Sequence, residues 1–272
     1  HDSNGASDGM ECSSEDESAG YLRPHCMNML RAAVRQLTDA GMWVIIAARA
    51  KYAAGYTWPD DPDVFHSSEL KRQYYAMWQF VAEEFAGMDR VCGYEIMSEP
   101  RTRSVRQSDV TDFMAGGCDA VHAADPLAFC VIGPAPYYQM WELPNMGQLA
   151  GRQNVVYTFN FYNPGRFVTS NSAQSIARGE PPPTFPGSYT CKEIFGTWWR
   201  DCQSDPTWFD AAFIHELMRT YPGRLRERLQ APVFCNQWGV KDEVGHNQGR
   251  LDYATALLDA FSREGISSTY WL

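Results

Sequence analysis

Apolar residues recur every three or four positions over 21–40, where Met27, Leu30, Ala33, Val34 and Leu37 share one face and Gly41 ends the run. That period predicts a helix. The next segment changes character: Trp43-Val44-Ile45-Ile46-Ala47-Ala48 is continuously apolar, the pattern of a strand buried on both faces, as in a parallel sheet. The alternation then repeats. Leu70, Tyr74, Met77, Trp78, Val81 and Phe85 mark a helix over 68–86, Val91 to Met97 a strand, 107–123 a helix, and Phe129 to Gly133 a strand. A short helix is expected at 138–150, strands at 155–161, 232–236 and 268–272, and helices at 207–229 and 248–264. Residues 162–205 form a Pro- and Gly-rich insertion, longer than ordinary connections. Residues 1–20, rich in Ser, Asp, Glu and Gly, read as a flexible segment ahead of one domain over 21–272.

Strand–helix alternation at this spacing means βαβ units around a parallel sheet. A closed barrel and an open doubly wound sheet both alternate this way. No G-x-G-x-x-G or Walker loop follows any expected strand, which argues against a nucleotide site.

Composition narrows the partners. The 272 residues carry a net charge of −10, whereas nucleic acid and anionic membranes call for clustered Lys and Arg. No apolar run is long enough to span a bilayer. A neutral sugar ligand fits both facts. Aromatic residues make up 14% of the chain and include 9 Trp, flat apolar faces that serve core packing and sugar stacking alike. Trp58, Trp141, Trp198, Trp199, Trp208 and Trp238 all fall in or near strand-end loops. The 8 Cys contain no C-x-x-C pair, against a zinc ribbon. Cys12 with Cys26, and Cys191 with Cys202, are placed to close loops as disulfides, which favours a secreted origin; free buried thiols are the alternative. His66, His122, His215 and His246 lack ligand-like spacing, and neither a metal nor a cofactor is expected.

In α/β barrels functional groups sit at the C-terminal ends of strands. Gly93-Tyr94-Glu95-Ile96-Met97-Ser98-Glu99-Pro100 ends such a strand, with Pro100 breaking the ladder behind Glu99. A carboxyl held there among apolar neighbours is suited to protonating a leaving oxygen. Glu95 shares the face of Met97 and Glu99 and reads as half of a structural ion pair.

The segment YEIMSEP resembles the acid/base motif of glycoside hydrolase family 5, the cellulase-type barrels, in which an apolar strand ends in Asn-Glu-Pro. Three further segments resemble that family in order: VVYTFNFYNP its sixth strand, APVFCNQWG its seventh and STYWL its eighth, while GMWVIIAARAKY takes the place of the third. The resemblance covers roughly 25–272. It implies a (β/α)8 TIM barrel, incomplete as given, with strands three to eight recognisable and the first two strands and last helix missing. It implies a retaining β-glycosidase that binds β-linked glucan or related oligosaccharide.

By the same resemblance Glu99 matches the general acid/base, Tyr162 the tyrosine that hydrogen-bonds the nucleophile, and Trp271 the stacking platform; Trp238 is a second candidate sugar contact. Ser98 stands where the family has an Asn for the sugar 2-hydroxyl, and Asn160 where it has a His. Ala48 and Arg49 lie near the place of the family's third-strand His pair. The main departure is Gln237, which occupies the nucleophile position. An amide is neutral and a poor nucleophile, so the chain is expected to bind sugar better than it cleaves it. The lost negative charge should also let Glu99 titrate lower than in the family. A deliberate Glu→Gln exchange and a natural pseudoenzyme both fit; Ser98 and Asn160, altered as well, favour the second. A displaced nucleophile at Asp242 or Glu243 requires the loop to fold back. A barrel kept as a structural or partner-binding subunit, with the 162–205 insertion as its contact arm, is the remaining alternative.

Overall fold

The computed structural model describes residues 12, 14–49, 63–102, 104–147, 149, 152–169, 179, 183–196, 205–241 and 247–271. The chain gathers into two compact units, His1–Pro136 with Leu149–Val155 and Tyr137–Gln148 with Val156–Leu272. No described helix is long and apolar enough to cross a membrane.

The first unit holds three parallel strands, β1 (Val44–Ala47), β2 (Val91–Glu95) and β3 (Phe129–Ile132), with α1 (Pro24–Asp39) ahead of β1, α2 (Ser68–Phe85) between β1 and β2, and α3 (Gln107–Ala124) between β2 and β3. Ala47 pairs with Glu95 and Glu95 with Val131, so the C-terminal ends of the strands lie level. Pro24 opens α1, and the Ser67 side chain accepts the Leu70 N–H at the start of α2, each satisfying or omitting a donor that a helix start leaves unpaired. The apolar stripe of α2 buries Trp78, Val81, Ala82 and Phe85. Helix α3 closes so tightly on the segment after β2 that a Cβ on Gly117 would lie 2.4 Å from Ile96 Cγ2.

The second unit holds β4 (Val155–Phe161), β7 (Val233–Trp238) and β8 (Ser267–Tyr270), parallel and in that order. Short helices α4 (Gly165–Thr169) and α5 (Cys191–Phe195) follow β4, and an antiparallel hairpin pairs β5 (Gly187–Tyr189) with β6 (Thr207–Phe209). Helices α6 (Ala211–Met218) and α7 (Arg224–Leu229) precede β7, and α8 (Asn247–Glu264) precedes β8. The core is aromatic: Phe185, Phe209, Tyr253 and Phe261 are buried, and Tyr253 meets Phe167 and Phe185 at centroid distances of 5.3 and 5.4 Å.

All the expected strands form, with ends shifted by a residue or two. The expected single helix over 207–229 does not. Thr207–Phe209 is a strand, and Asp210 then caps α6 by accepting from Phe213 N–H at 2.9 Å. Pro222 offers no N–H, and the chain widens into a π-turn over Arg219–Gly223 before α7 resumes. The expected helix at 138–150 is a 3-10 stretch, Met140–Asn145. Of the N-terminal segment, Glu17–Ala19 forms a 3-10 turn capped by Asp16.

Cys12 and Cys26 are bonded, as expected. Cys191 is disulfide-bonded too; Cys202, its expected partner, lies outside the described residues. A further bridge, Cys118–Cys130, staples α3 to β3 and was not anticipated. Cys92 and Cys235 are free, and burial pushes both thiols up.

Two outcomes follow for stability. Gly117→Ala forces Ile96 or α3 to move and should cost about 1–3 kcal/mol, read as a lowered denaturation midpoint. Arg152 grips Asp119 through two 2.7 Å hydrogen bonds that hold its carboxyl below the usual range. A depressed carboxylate stabilises the fold above its unfolded value and stops doing so as pH falls through the folded one. With the pair partly exposed, Arg152→Gln should cost at most about 1 kcal/mol at pH 7 and nothing near pH 2, in parallel urea titrations.

Candidate active site

The first unit carries Glu99. Past β2, Ile96 N–H donates to Val131 O at 3.1 Å and prolongs the ladder by one residue. The Ile96 carbonyl is then held from α2 by Tyr74 Oη at 2.7 Å and Trp78 Nε1 at 2.9 Å. Ser98 N–H reaches back to Ala48 O at 2.7 Å. Anchored on both sides, the chain turns out of the sheet and Glu99 adopts φ 50°, a left-handed conformation that an L side chain other than Asn, Asp or Gly rarely takes. Its carboxylate meets Arg49 Nη2 at 3.4 Å. Glu95 is buried at 5% exposure on β2, and Ser98 is half-buried beside Glu99.

The second unit carries Gln237. Along β4 and β7 the register slips between Phe159 and Asn160, so that Phe159 faces Cys235 and Asn160 faces Gln237. Asn236 is the extra residue of a β-bulge, a device that re-aims the side chain following it. Gln237 thereby comes level with Asn160 and accepts a hydrogen bond from Tyr162 Oη at 3.2 Å. Asn160, buried to 7% exposure, braces the loop after β3: its N–H donates to Tyr138 O at 2.8 Å and its Nδ2 to Tyr137 O at 3.4 Å. Both tyrosines are left-handed, at φ 55° and 58°, so Asn160 restrains two consecutive strained residues.

The tryptophans divide. Trp238 is buried at 4% exposure, edge-on to Tyr270 at 4.8 Å and to Phe261 of α8 at 6.0 Å. Among the described residues its ring belongs to the core layer, with an indole N–H that lacks a protein acceptor. Trp271 stands just beyond β8, 51% exposed, its N–H bonded to Trp238 O at 2.7 Å. That approach requires Gly239, since a Cβ there would lie 1.9 Å from Trp271 O. Trp141 is buried against Phe195, and Trp208 projects from β6 at 58% exposure. Trp58, Trp198, Trp199, Asp242, Glu243 and His246 lie outside the described residues. His122 bonds Ala128 O and His215 pairs with Glu264.

Sequence reasoning therefore paired Tyr162 with Gln237 and missed two features of the site. The Arg49–Glu99 contact carries no local signal, because the two residues lie 50 positions apart. The left-handed Tyr137–Tyr138 pair was signalled only by the turn-rich run Gly133-Pro134-Ala135-Pro136 before it. The strain at Glu99 is measurable: Glu99→Asn should raise stability by up to about 1 kcal/mol, because Asn tolerates this conformation, while Glu99→Gln should not. Chemical-denaturation midpoints of the two variants separate backbone relief from loss of charge.

Comparisons with known proteins identify the fold and the family. No curated protein matches the chain by sequence. Among solved structures, the cellulose synthase subunit Z of Clostridioides difficile superposes with a TM-score of 0.71 at 14% identity, over 95% of this chain and 75% of that one. The Thermotoga maritima enzyme Cel5A in complex with cellobiose gives 0.67 at 14%, over 92% and 72%. A hyperthermophilic endo-β-1,4-glucanase in complex with substrate gives 0.69 at 14%, over 96% and 73%. These similarities show the fold, an incomplete α/β barrel of the (β/α)8 type. The family model for cellulase, glycosyl hydrolase family 5, matches residues 10–272. With nearly its whole length accounted for by that model, and an acidic strand end and a tyrosine-bonded glutamine on its scaffold, the chain belongs to glycosyl hydrolase family 5, the cellulase family.

Proposed function

We propose that this chain binds a β-linked glucan or a related β-linked oligosaccharide and is impaired in cleaving it. Glu99 is the general acid/base residue in this reading, and Gln237 occupies the nucleophile position. Tyr162 is the tyrosine that serves the nucleophile, and Trp271 offers the stacking face. Ser98 is the polar contact to sugar, while Asn160, expected as a second one, braces the adjoining loop instead, and Trp238 supports the floor from behind.

The observation that carries the reading is the Tyr162–Gln237 hydrogen bond at the end of β7. It reproduces, on an amide, a contact that the family makes to its nucleophile. Related folds were solved with cellobiose and with mannotriose, which supports a β-linked hexose chain as ligand. The chemistry supplies the impairment. Retaining hydrolysis uses one carboxyl to protonate the leaving oxygen and a second to attack the anomeric carbon. An amide oxygen attacks poorly and bears no charge to stabilise an oxocarbenium ion, so the glycosyl-enzyme does not accumulate. Sugar binding draws on hydroxyl contacts and ring stacking, and the amide preserves those.

Gln237→Glu should raise cleavage of soluble β-1,4- or β-1,3-glucan by roughly 10³-fold or more above the parent chain, the scale on which nucleophile loss is felt. Both proteins should bind cello- or manno-oligosaccharides with similar affinity by calorimetry. If neither protein binds any of these sugars and neither cleaves glucan, the sugar-site reading falls.

A further inference from the structure

The ends of β1 and β2 are laced together inside the first unit. Ala48 N–H donates to Glu95 O at 3.2 Å, and Ala48 O accepts from Ser98 N–H. The next residue on each side is Arg49 and Glu99, so the lacing delivers a cation to the carboxylate, Nη2 to Oε2 at 3.4 Å. Guanidinium stays charged at any pH at which a protein is folded. The Glu99 side chain is 21% exposed, against 52% for Arg49, so the carboxylate sits on the less hydrated side of the pair, where a fixed charge counts for more than in open water.

Among the described residues of this unit, the other charged or titratable groups nearest the exit in sequence or by contact are Glu95 on β2, Arg101 on Glu99's own loop, and Tyr74 from α2. Glu95 is buried one level down the strand, beside Ala47 and Val131. Tyr74 spends its hydroxyl on Ile96 O. Arg101, like Arg49, is a cation.

We infer that Arg49 is a positioning residue that holds Glu99 in its ionised form, so that this chain lacks a ready proton donor as well as a nucleophile. The inference deepens the reading above and rests on it for the role of Glu99. A general acid must carry its proton into the transition state. A guanidinium beside it stabilises the form without that proton and orients one carboxylate oxygen toward β1. Restoring a carboxylate at 237 would then repair half of the chemistry, and full repair would need position 49 neutral as well.

Two measurements on the full chain test this. The first needs no activity: the Glu99 side-chain carboxyl is titrated by carbon-detected NMR in the parent, Arg49→Gln and Arg49→Lys. Arg49→Gln should move the Glu99 midpoint up by about one pH unit, at the lower end of what an adjacent Arg contributes, and Arg49→Lys should stay close to the parent. Identical midpoints in parent and Arg49→Gln overturn the inference. Should Arg49→Gln fail to fold, salt replaces it: raising NaCl from about 0.05 to 0.5 M should lift the parent midpoint by screening, and a salt-independent midpoint overturns it equally. The second measurement is the pH profile of kcat/KM in Gln237→Glu with and without Arg49→Gln. The added substitution should shift the high-pH limb upward and raise the rate at neutral pH several-fold. Cleavage by both with coincident high-pH limbs refutes the role of Arg49 and leaves the hydrolase reading standing. A shifted Glu99 midpoint with no cleavage by either refutes the hydrolase reading and leaves Arg49 in place.

Discussion

The carbonyl of Ile96 is the hinge of the acidic half of this molecule. Its own N–H closes the last rung to β3, while its oxygen receives two donors, Tyr74 and Trp78, from a helix whose opposite turns are sunk in the core. A backbone carbonyl at the end of a buried strand must find partners or forfeit the free energy of a lost hydrogen bond. Here α2 supplies both. The next three residues must leave the sheet within a few ångströms, between the Ala48 carbonyl and Pro100. Glu99 ends in a left-handed conformation as a result. The strain is local, and what holds it is the packing of Trp78 and the close seat of Gly117 against Ile96.

The second unit solves the same problem by other means. Strict alternation along β7 would not set Gln237 level with Asn160. One extra residue, Asn236, resets the register, and the side chain after it turns toward Tyr162. Asn160 lies alongside and spends its backbone and side-chain donors on two tyrosine carbonyls. A bulge and a strained loop adjoin Gln237. Such features persist only where surrounding packing over-determines them, and the aromatic layer of Trp238, Phe261 and Tyr270 is that packing.

In the reading proposed above, charge rather than shape separates this chain from a working retaining hydrolase. The fold persists at 12–14% identity to solved structures. The strand ends present an amide at 237, bonded by Tyr162, and a guanidinium at 49, paired with Glu99. Binding depends chiefly on shape and hydrogen bonds, and catalysis on where charge can develop. A scaffold can therefore keep the first while losing the second.

Much of the fold was legible in the sequence because parallel strands buried on both faces need continuous apolar runs, and helices between them need a 3.6-residue stripe. Val91 to Met97 and Val155 to Phe161 declare themselves on that ground; Trp43 to Ala48 was found by the same run, yet β1 buries only Val44 and Ile46 and leaves Ile45 39% exposed. Glu99 was read from a strand end, and Tyr162 and Gln237 from the resemblance to a family. The helix misread across 207–229 came from an apolar run that the Asp210 cap and Pro222 cut in two. The Cys118–Cys130 bridge, the bulge at Asn236 and the meeting of Arg49 with Glu99 belong to the tertiary structure alone. Each depends on which element lies beside which, and on a register that a single residue can change. Periodicity determines what an element is; only packing decides what it touches.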